Sequence, residues 1–290
     1  MLNLKERIIV TADDFGISPG VNRAIVHLYK DGCISRASLF PNCNYTYDAM
    51  NIVRQEVPLM PIGIHLTLTC GKCCAPLEEV WMIANEEGFL KLNFLKIIFY
   101  LINPFTKKRF LRQVEAELNA QILKLKNLGI LINHIDSHRH IHTIPGIFQV
   151  VRRIAHYHQI DDIRLINESF IFTMRKVKSA KDILVGLVKF FILKSFYFIN
   201  GVSSRGYFFS IIYSCKISPE ILLRFFLCKN KNKQPYDTVE IMLHPGNPDM
   251  DKTYINSLPL EESGHLLSCN RIDEFIAAYE LKRILNAQVS

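Results

Sequence analysis

The sequence predicts an α/β fold, with a parallel sheet wound either into a barrel or as an open sheet. Short β-branched apolar runs alternate with segments of helical period along most of the chain. Residues able to do chemistry recur directly after those runs, at the strand ends where such folds assemble their sites. The 290 residues are 49% hydrophobic and 21% charged, with 13 Gly and 12 Pro, which excludes disordered, collagen-like and low-complexity chains.

Taken in order, Arg7 to Ala12 reads as a buried strand running into Asp13, Asp14, Phe15 and Gly16. Ser18 and Pro19 are an N-cap and first-turn signal. Val21, Ile25 and Leu28 then recur at helical spacing, and Gly32 stands just past the end. Ser35 to Phe40 is the next strand. Pro61 to Thr69 alternates, with Ile62, Ile64, Leu66 and Leu68 on one face and Gly63, His65 and Thr67 on the other. Thr106 opens a long helix with Leu111, Val114, Leu118, Ile122 and Leu125 on its stripe, closed by Gly129. A strand from Ile130 to Ile135 leads into Asp136, Ser137 and His138. Pro145 to Ala155 reads as a helix, Ile163 to Ile166 as a short strand, and Thr238 to Leu243 as a strand ending at His244. The last helix takes Asn270 as N-cap with Asp273 three residues on. No repeat and no clean linker appears, so residues 1–290 are read as one domain with amphipathic helical insertions near 89–110 and 170–233.

The net charge of +8 is concentrated in the middle, where residues 61–233 hold 25 basic and 12 acidic side chains. No motif for nucleic-acid binding accompanies it. No signal-peptide hydrophobic region opens the chain, and the most apolar segment, Ile183 to Ile199, is interrupted by Lys189 and Lys194 where a span needs about 20 apolar residues. The expected location is cytoplasmic, with a peripheral contact at a membrane surface open. Eight cysteines are scattered along the chain and read as reduced thiols. The cluster of Cys70, Cys73 and Cys74 lacks a second pair at zinc-site spacing and reads as unligated.

Two adjacent carboxylates at a strand end cannot both stay ionised in a dry pocket without a cation, so Asp13 and Asp14 point to a divalent metal. One would ligate while the other, facing elsewhere, serves as a base. From His134 to His142 four histidines and Asp136 fall on even-numbered positions and would share a face if the chain stayed extended. Such a concentration points to a metal or catalytic site, with His142 and His134 as candidates for purely structural hydrogen bonds. One Asp and two His leave open positions for water and substrate, as a catalytic metal site requires. His244 would lie across the pocket, suited to proton donation, and Arg164 is a candidate partner for Asp13.

The motifs TADDFG, GIHLTLT, HIDSHRHIH and IMLHPG, in this order across residues 7–246, resemble the YdjC-like carbohydrate deacetylases. That family includes chitooligosaccharide deacetylases and hopanoid-biosynthesis-associated members. RIDEF, residues 271–275, resembles the family's closing helix. The resemblance implies a (β/α) barrel, distorted or incomplete, in which Asp14, His65 and His138 bind one divalent metal ion, Mg2+ or Zn2+. It implies Asp13 as catalytic base and His244 as acid or oxyanion stabiliser. Asp136, His140 and Arg164 would orient these groups or contact substrate. The implied activity is hydrolysis of an N-acetyl group on an amino-sugar-containing carbohydrate, releasing acetate. Free and lipid-linked sugars are both admitted as substrate, and a homodimer is left open. Two other readings compete: a histidine-rich metallohydrolase of the amidohydrolase or phosphoesterase kind, which would use His138 and His140 together, and a non-catalytic scaffold for a membrane or partner.

Overall fold

The computed structural model describes residues 8–170, 173, 184–229, 236–254 and 263–287. Arg7, Ile183 and part of the 170–233 insertion lie outside them. Six strands, β1 (Ile8–Phe15), β2 (Arg36–Leu39), β3 (Ile62–Leu66), β4 (Ile132–Ser137), β5 (Gly206–Phe209) and β6 (Thr238–Leu243), form one sheet in the order β4-β3-β2-β1-β6-β5. Every neighbouring pair is parallel. The sheet curls into a half-barrel flanked by helices, a distorted (β/α) barrel. The strand expected from Ile163 to Ile166 is reduced to a single parallel bridge, Ile163 to Ile135. The Arg164 amide makes one of the two bonds of that bridge, to the Ile135 carbonyl, and its side chain reaches the carboxylates described below.

Period-two alternation divides the sheet. Val10, Ala12, Ala37, Leu39, Ile62, Ile64, Ile135, Ile241 and Leu243 are buried in the apolar core. Helices α1 (Pro19–Lys30), α2 (Thr46–Glu56), α3 (Leu77–Val80), α4 (Phe94–Ile102), α5 (Pro104–Asn127) and α6 (Ile147–His158) come between the strands in chain order. After them come α7 (Leu184–Ile199), α8 (Pro219–Lys229), α9 (Pro248–Lys252), α10 (Ser263–Leu266) and α11 (Asn270–Ala287). The concave face is polar: Thr11, Arg36, Ser38, His65, His134, Asp136 and Glu240 bond to one another across the strands. Gly63 completes this face because a Cβ there would fall inside the van der Waals envelope of the His134 ring.

Helix α1 begins as expected, with the Ser18 hydroxyl accepting from the Val21 amide and Pro19 in the first turn. Helix α5 begins two residues earlier than Thr106, at Pro104, because Asn103 both ends α4 and caps α5 through its side chain. Its buried face includes Gln113, Glu117 and Gln121 beside Val114, Leu118, Ile122 and Leu125. These three polar side chains take up backbone groups of the loop after β3: Gln121 bonds Thr67, Glu117 the amides of Cys74 and Ala75, and Gln113 that of Met82. The Cys70–Cys74 segment is therefore held by α5 and by Asn42, which donates to the Cys70 and Lys72 carbonyls. The last helix already includes Asn270, and Ser268 accepts the Asn270 amide in front of it.

After β5, Ile211 and Ser210 close over Glu168, whose carboxylate accepts from the Ile211 amide at 2.7 Å, the Ser210 hydroxyl at 3.0 Å and the Thr173 hydroxyl at 2.9 Å. Burial pushes its carboxyl up to about 7 against the lowering effect of those hydrogen bonds. Between about pH 4.5 and 7 the folded state keeps a proton that the unfolded chain has released, so stability falls as pH rises through this window. Glu168→Gln should remove about 3 kcal/mol of that pH dependence, read as a flatter profile of urea-denaturation stability than the parent's. Gly63→Ala should cost about 1–3 kcal/mol by overpacking against His134. The cost should largely vanish in a His134→Ala background, which a double-mutant cycle measures.

Candidate active site

The register of β1 with β2 shifts between Ala12 and Phe15, and Asp14 sits at φ 67°. This bulge sends two consecutive carboxylates to different partners, which simple alternation only partly anticipates. Asp13 meets Arg164, which donates to both of its oxygens at 2.7 and 2.8 Å. Arg164 also pairs with Asp136 at 2.8 Å and with Glu240 at 2.9 Å, and its own side chain is completely buried. Burial works against the guanidinium's charge, and the carboxylates Asp13, Asp136 and Glu240 outweigh it.

Asp14 turns instead to Arg271, 2.6 Å away on α11, and places Oδ1 at 3.6 Å from His65 Nε2. Burial alone would raise the Asp14 carboxyl, but Arg271, His244, His65 and His138 hold it well below the usual carboxylate range. The other edge of His65 is fixed: Nδ1 lies 2.7 Å from Asp136 Oδ1. Burial would raise the Asp136 carboxyl too, yet Arg164 and His65 keep it well below its ordinary value, so it is ionised and Nδ1 donates to it. His65 Nε2 then faces the Asp14 carboxylate. An imidazole nitrogen and a carboxylate oxygen converging at this distance are an arrangement that a cation can bridge, and the aspartate behind the imidazole is the usual support of a metal-ligating histidine.

His138 joins from the other side. Its Nδ1 lies 2.8 Å from Thr69 Oγ1, and its ring stands 6.0 Å from that of His65, both against Phe40. Beyond His138 the chain leaves the extended conformation: Arg139 and His140 have φ of 54° and 56°, and residues His138–Thr143 form a 3-10 turn. The four histidines therefore do not share a face. His134 packs beneath Gly63 beside Ser38, and His142 bridges the Ser137 hydroxyl and the Arg164 carbonyl. His140 lines the cavity, edge-on to Phe208, and its Nδ1 has no hydrogen-bond partner among the described residues. Burial, helped by Arg164, holds its imidazole well below the ordinary value and neutral.

Across the cavity, His244 Nδ1 lies 3.4 Å from Glu274 of α11, which also accepts the His244 amide. Burial would lower this imidazole, but Cys215, 3.8 Å from Nδ1, and Glu274 raise it well above its usual value. Arg271, Glu274 and Cys215 were not assigned roles in the sequence reading. The signal for the first two was present: charged residues standing in the buried stripe of α11 with Ala278, Leu281 and Leu285. Asp13, Asp14, His65, His138, His140 and His244 all line one cavity of about 780 Å³, while Asp136, Arg164 and Glu240 stand behind it. Among the described residues, Asp13, His65 and Asp136 form a buried group whose ligand atoms lie within 4.8 Å of one another and could hold a metal ion, and no such group includes the Cys70–Cys74 thiols.

A family model described as YdjC-like protein matches residues 7–279. The chain belongs to the YdjC-like family. Among its relatives, the carbohydrate deacetylase of Clostridium beijerinckii is 30% identical over 245 residues, covering 84% of this chain and 82% of that one. The carbohydrate deacetylase of Brevibacillus brevis is 26% identical over 282 residues, covering 97% and 95%. A putative cellobiose-phosphate cleavage protein from Enterococcus faecalis superposes with a TM-score of 0.67 at 22% identity, covering 97% of this chain and 94% of that one, and so shares the fold.

This YdjC-like chain places one guanidinium among three carboxylates inside its barrel. Arg164→Met should destabilise it by about 3–5 kcal/mol, because the carboxylates stay buried without their counter-charge. Chemical denaturation of parent and variant measures the difference.

Proposed function

We propose that the protein is a metal-dependent hydrolase that removes an N-acetyl group from an amino-sugar-containing carbohydrate, releasing acetate and the free amine. The observation that carries this reading is the convergence of His65 Nε2 and the Asp14 carboxylate on the cavity floor, beside Asp13, with Asp136 behind the imidazole. The deacetylase names of its relatives supply the reaction class.

Asp14, His65 and His138 are the ligands in this reading. They fit better than Asp13, His65 and Asp136, since Arg164 already occupies both Asp13 oxygens and pairs with Asp136, and a second cation there would meet the guanidinium. Mixed imidazole and carboxylate donors suit Zn2+ and also admit other divalent ions, Mg2+ among them. When bound, such an ion supplies a Lewis acid that polarises the acetyl carbonyl and makes a water acidic near neutral pH.

The chain's own groups do the rest. Asp13, oriented by the Arg164 fork, takes a proton from the attacking water as its oxygen bonds the acyl carbon. The C–N bond then breaks, and His244, charged beside Glu274, passes its proton to the departing nitrogen. His140, neutral and with an unused ring nitrogen at the cavity wall, is placed to contact a sugar hydroxyl.

Acetate release from N-acetylglucosamine oligomers should be lost on chelation and restored by added divalent ion. Asp13→Asn should lower it by about 10²–10⁴-fold while the metal content of the purified protein stays unchanged. His138→Ala should lose the metal itself, read by elemental analysis. Full activity in both variants would reduce the cluster to a structural role.

A further inference from the structure

The cavity has a wall that the chemistry does not use. Helices α4 and α7 pass beside its opening, touching through Phe94 and Phe196, and contribute Phe94, Ile97, Val185, Ile192, Leu193 and Phe196 to its lining. Each helix is apolar on two faces. In α7, Gly186, Phe190 and Leu193 recur at i, i+4 and i+7 and are buried, with Gly186 set against the Ile212 carbonyl so closely that a Cβ would not fit. On another face Leu184, Val188, Phe191 and Phe198 are all exposed. In α4 only Ile97 is buried, while Leu95, Phe99 and Ile102, again at i, i+4 and i+7, are exposed at 76%, 61% and 75%, and Phe105 follows at 93%. A helix apolar all round normally lies inside a protein or a membrane, and patches of this kind mark contact sites.

The charges around the patch select what covers it. Residues 88–114 contain no acidic side chain, while Lys91, Lys96, Lys107, Lys108, Arg109 and Arg112 are exposed. Helix α7 likewise carries only Lys189 and Lys194, and Lys189 lines the cavity. A second copy meeting the same face across a twofold axis would set cation against cation. An anionic bilayer offers both a counter-charge and an apolar interior. No described helix is long and apolar enough to cross a membrane, so the contact would be interfacial.

We propose that α4 and α7 dock the mouth of the cavity onto an anionic lipid surface, where it takes a membrane-borne glycolipid whose hydrocarbon chain lies along the α4–α7 wall. This deepens the deacetylase reading, on which the identity of the sugar's reacting group rests, but the docking itself is read without activity. The full chain is sedimented with vesicles of phosphatidylcholine alone and of equal parts phosphatidylcholine and phosphatidylglycerol, in low and high salt. The expected result is partition to the anionic vesicles, weakened by salt, and roughly tenfold or more weaker for the triple variant Phe99→Ser, Ile102→Ser, Phe105→Ser, none of which lines the cavity. Circular dichroism of that variant should match the parent. Where acetate release is measurable, the variant should lose it toward an N-acetylglucosaminyl glycolipid embedded in the anionic vesicles and keep it toward a soluble oligomer. Equal partition of parent and variant, absence of partition by the parent, or a lipid-free dimer that the substitutions dissolve would overturn the proposal. Loss of all acetate release with partition intact would overturn the deacetylase reading instead.

Discussion

Everything on the concave face of the sheet answers to the burial of Arg164. A guanidinium with no access to water must have its charge met by carboxylates in good geometry, and Asp13, Asp136 and Glu240 supply it from three different strands. Glu240 in turn pairs with Arg36, which bonds Thr11 and reaches Asp162 at the edge. The interior of this half-barrel is thus a charge network where most barrels have layers of aliphatic side chains. The apolar core is displaced outward, between sheet and helices. Such a network contributes little net stability over an apolar core, but it fixes where each carboxylate points, and that is what a site needs.

From this constraint the state of the site follows. Because Arg164 keeps Asp136 ionised, Asp136 accepts from His65 Nδ1 and fixes the orientation of the ring. That orientation turns Nε2 to Asp14, and the bulge at Asp14 brings its carboxylate to meet it. On the far side Glu274 stands behind His244 as Asp136 stands behind His65, and with Cys215 it favours the protonated His244 ring. Arg271 and Glu274, one turn apart on α11, make the C-terminal helix part of the site.

The positions of these residues along the chain were legible because chemistry concentrates at strand ends, and β1, β3, β4 and β6 end at Asp13 and Asp14, His65, Asp136 and His138, and His244. What could not be read was direction. The even spacing of His134, His138, His140 and His142 suggested a shared face, but the positive φ of Arg139 and His140 breaks the alternation, and no local sequence signal such as glycine announces it. The Ile163 segment pairs with β4 through one bridge only, and the partner of Arg164, Asp13, lies too far away in sequence for local pattern to reveal it. Arg271 and Glu274 were visible only as charges out of place on an apolar stripe. The segments 89–110 and 170–233 read as amphipathic helical insertions, yet their periodicity did not say that a second apolar face of α4 and α7 would stay outside.

The turn after His138 also bears on the competing two-metal reading. A dinuclear hydrolase of that kind would need His138 and His140 to converge on metals about 3.5–4 Å apart. Here the left-handed pair Arg139 and His140 separates them: the His138 ring packs beside His65 and edge-on to Phe40, and the His140 ring edge-on to Phe208. His142 cannot replace His140, since both of its nitrogens are committed to Ser137 and the Arg164 carbonyl. The carboxylates that would bridge a second ion, Asp13 and Asp136, are neutralised by Arg164. One guanidinium therefore lies among the carboxylates where a second ion would have to sit, and it does so without the pair of converging histidines that a dinuclear centre of that kind requires.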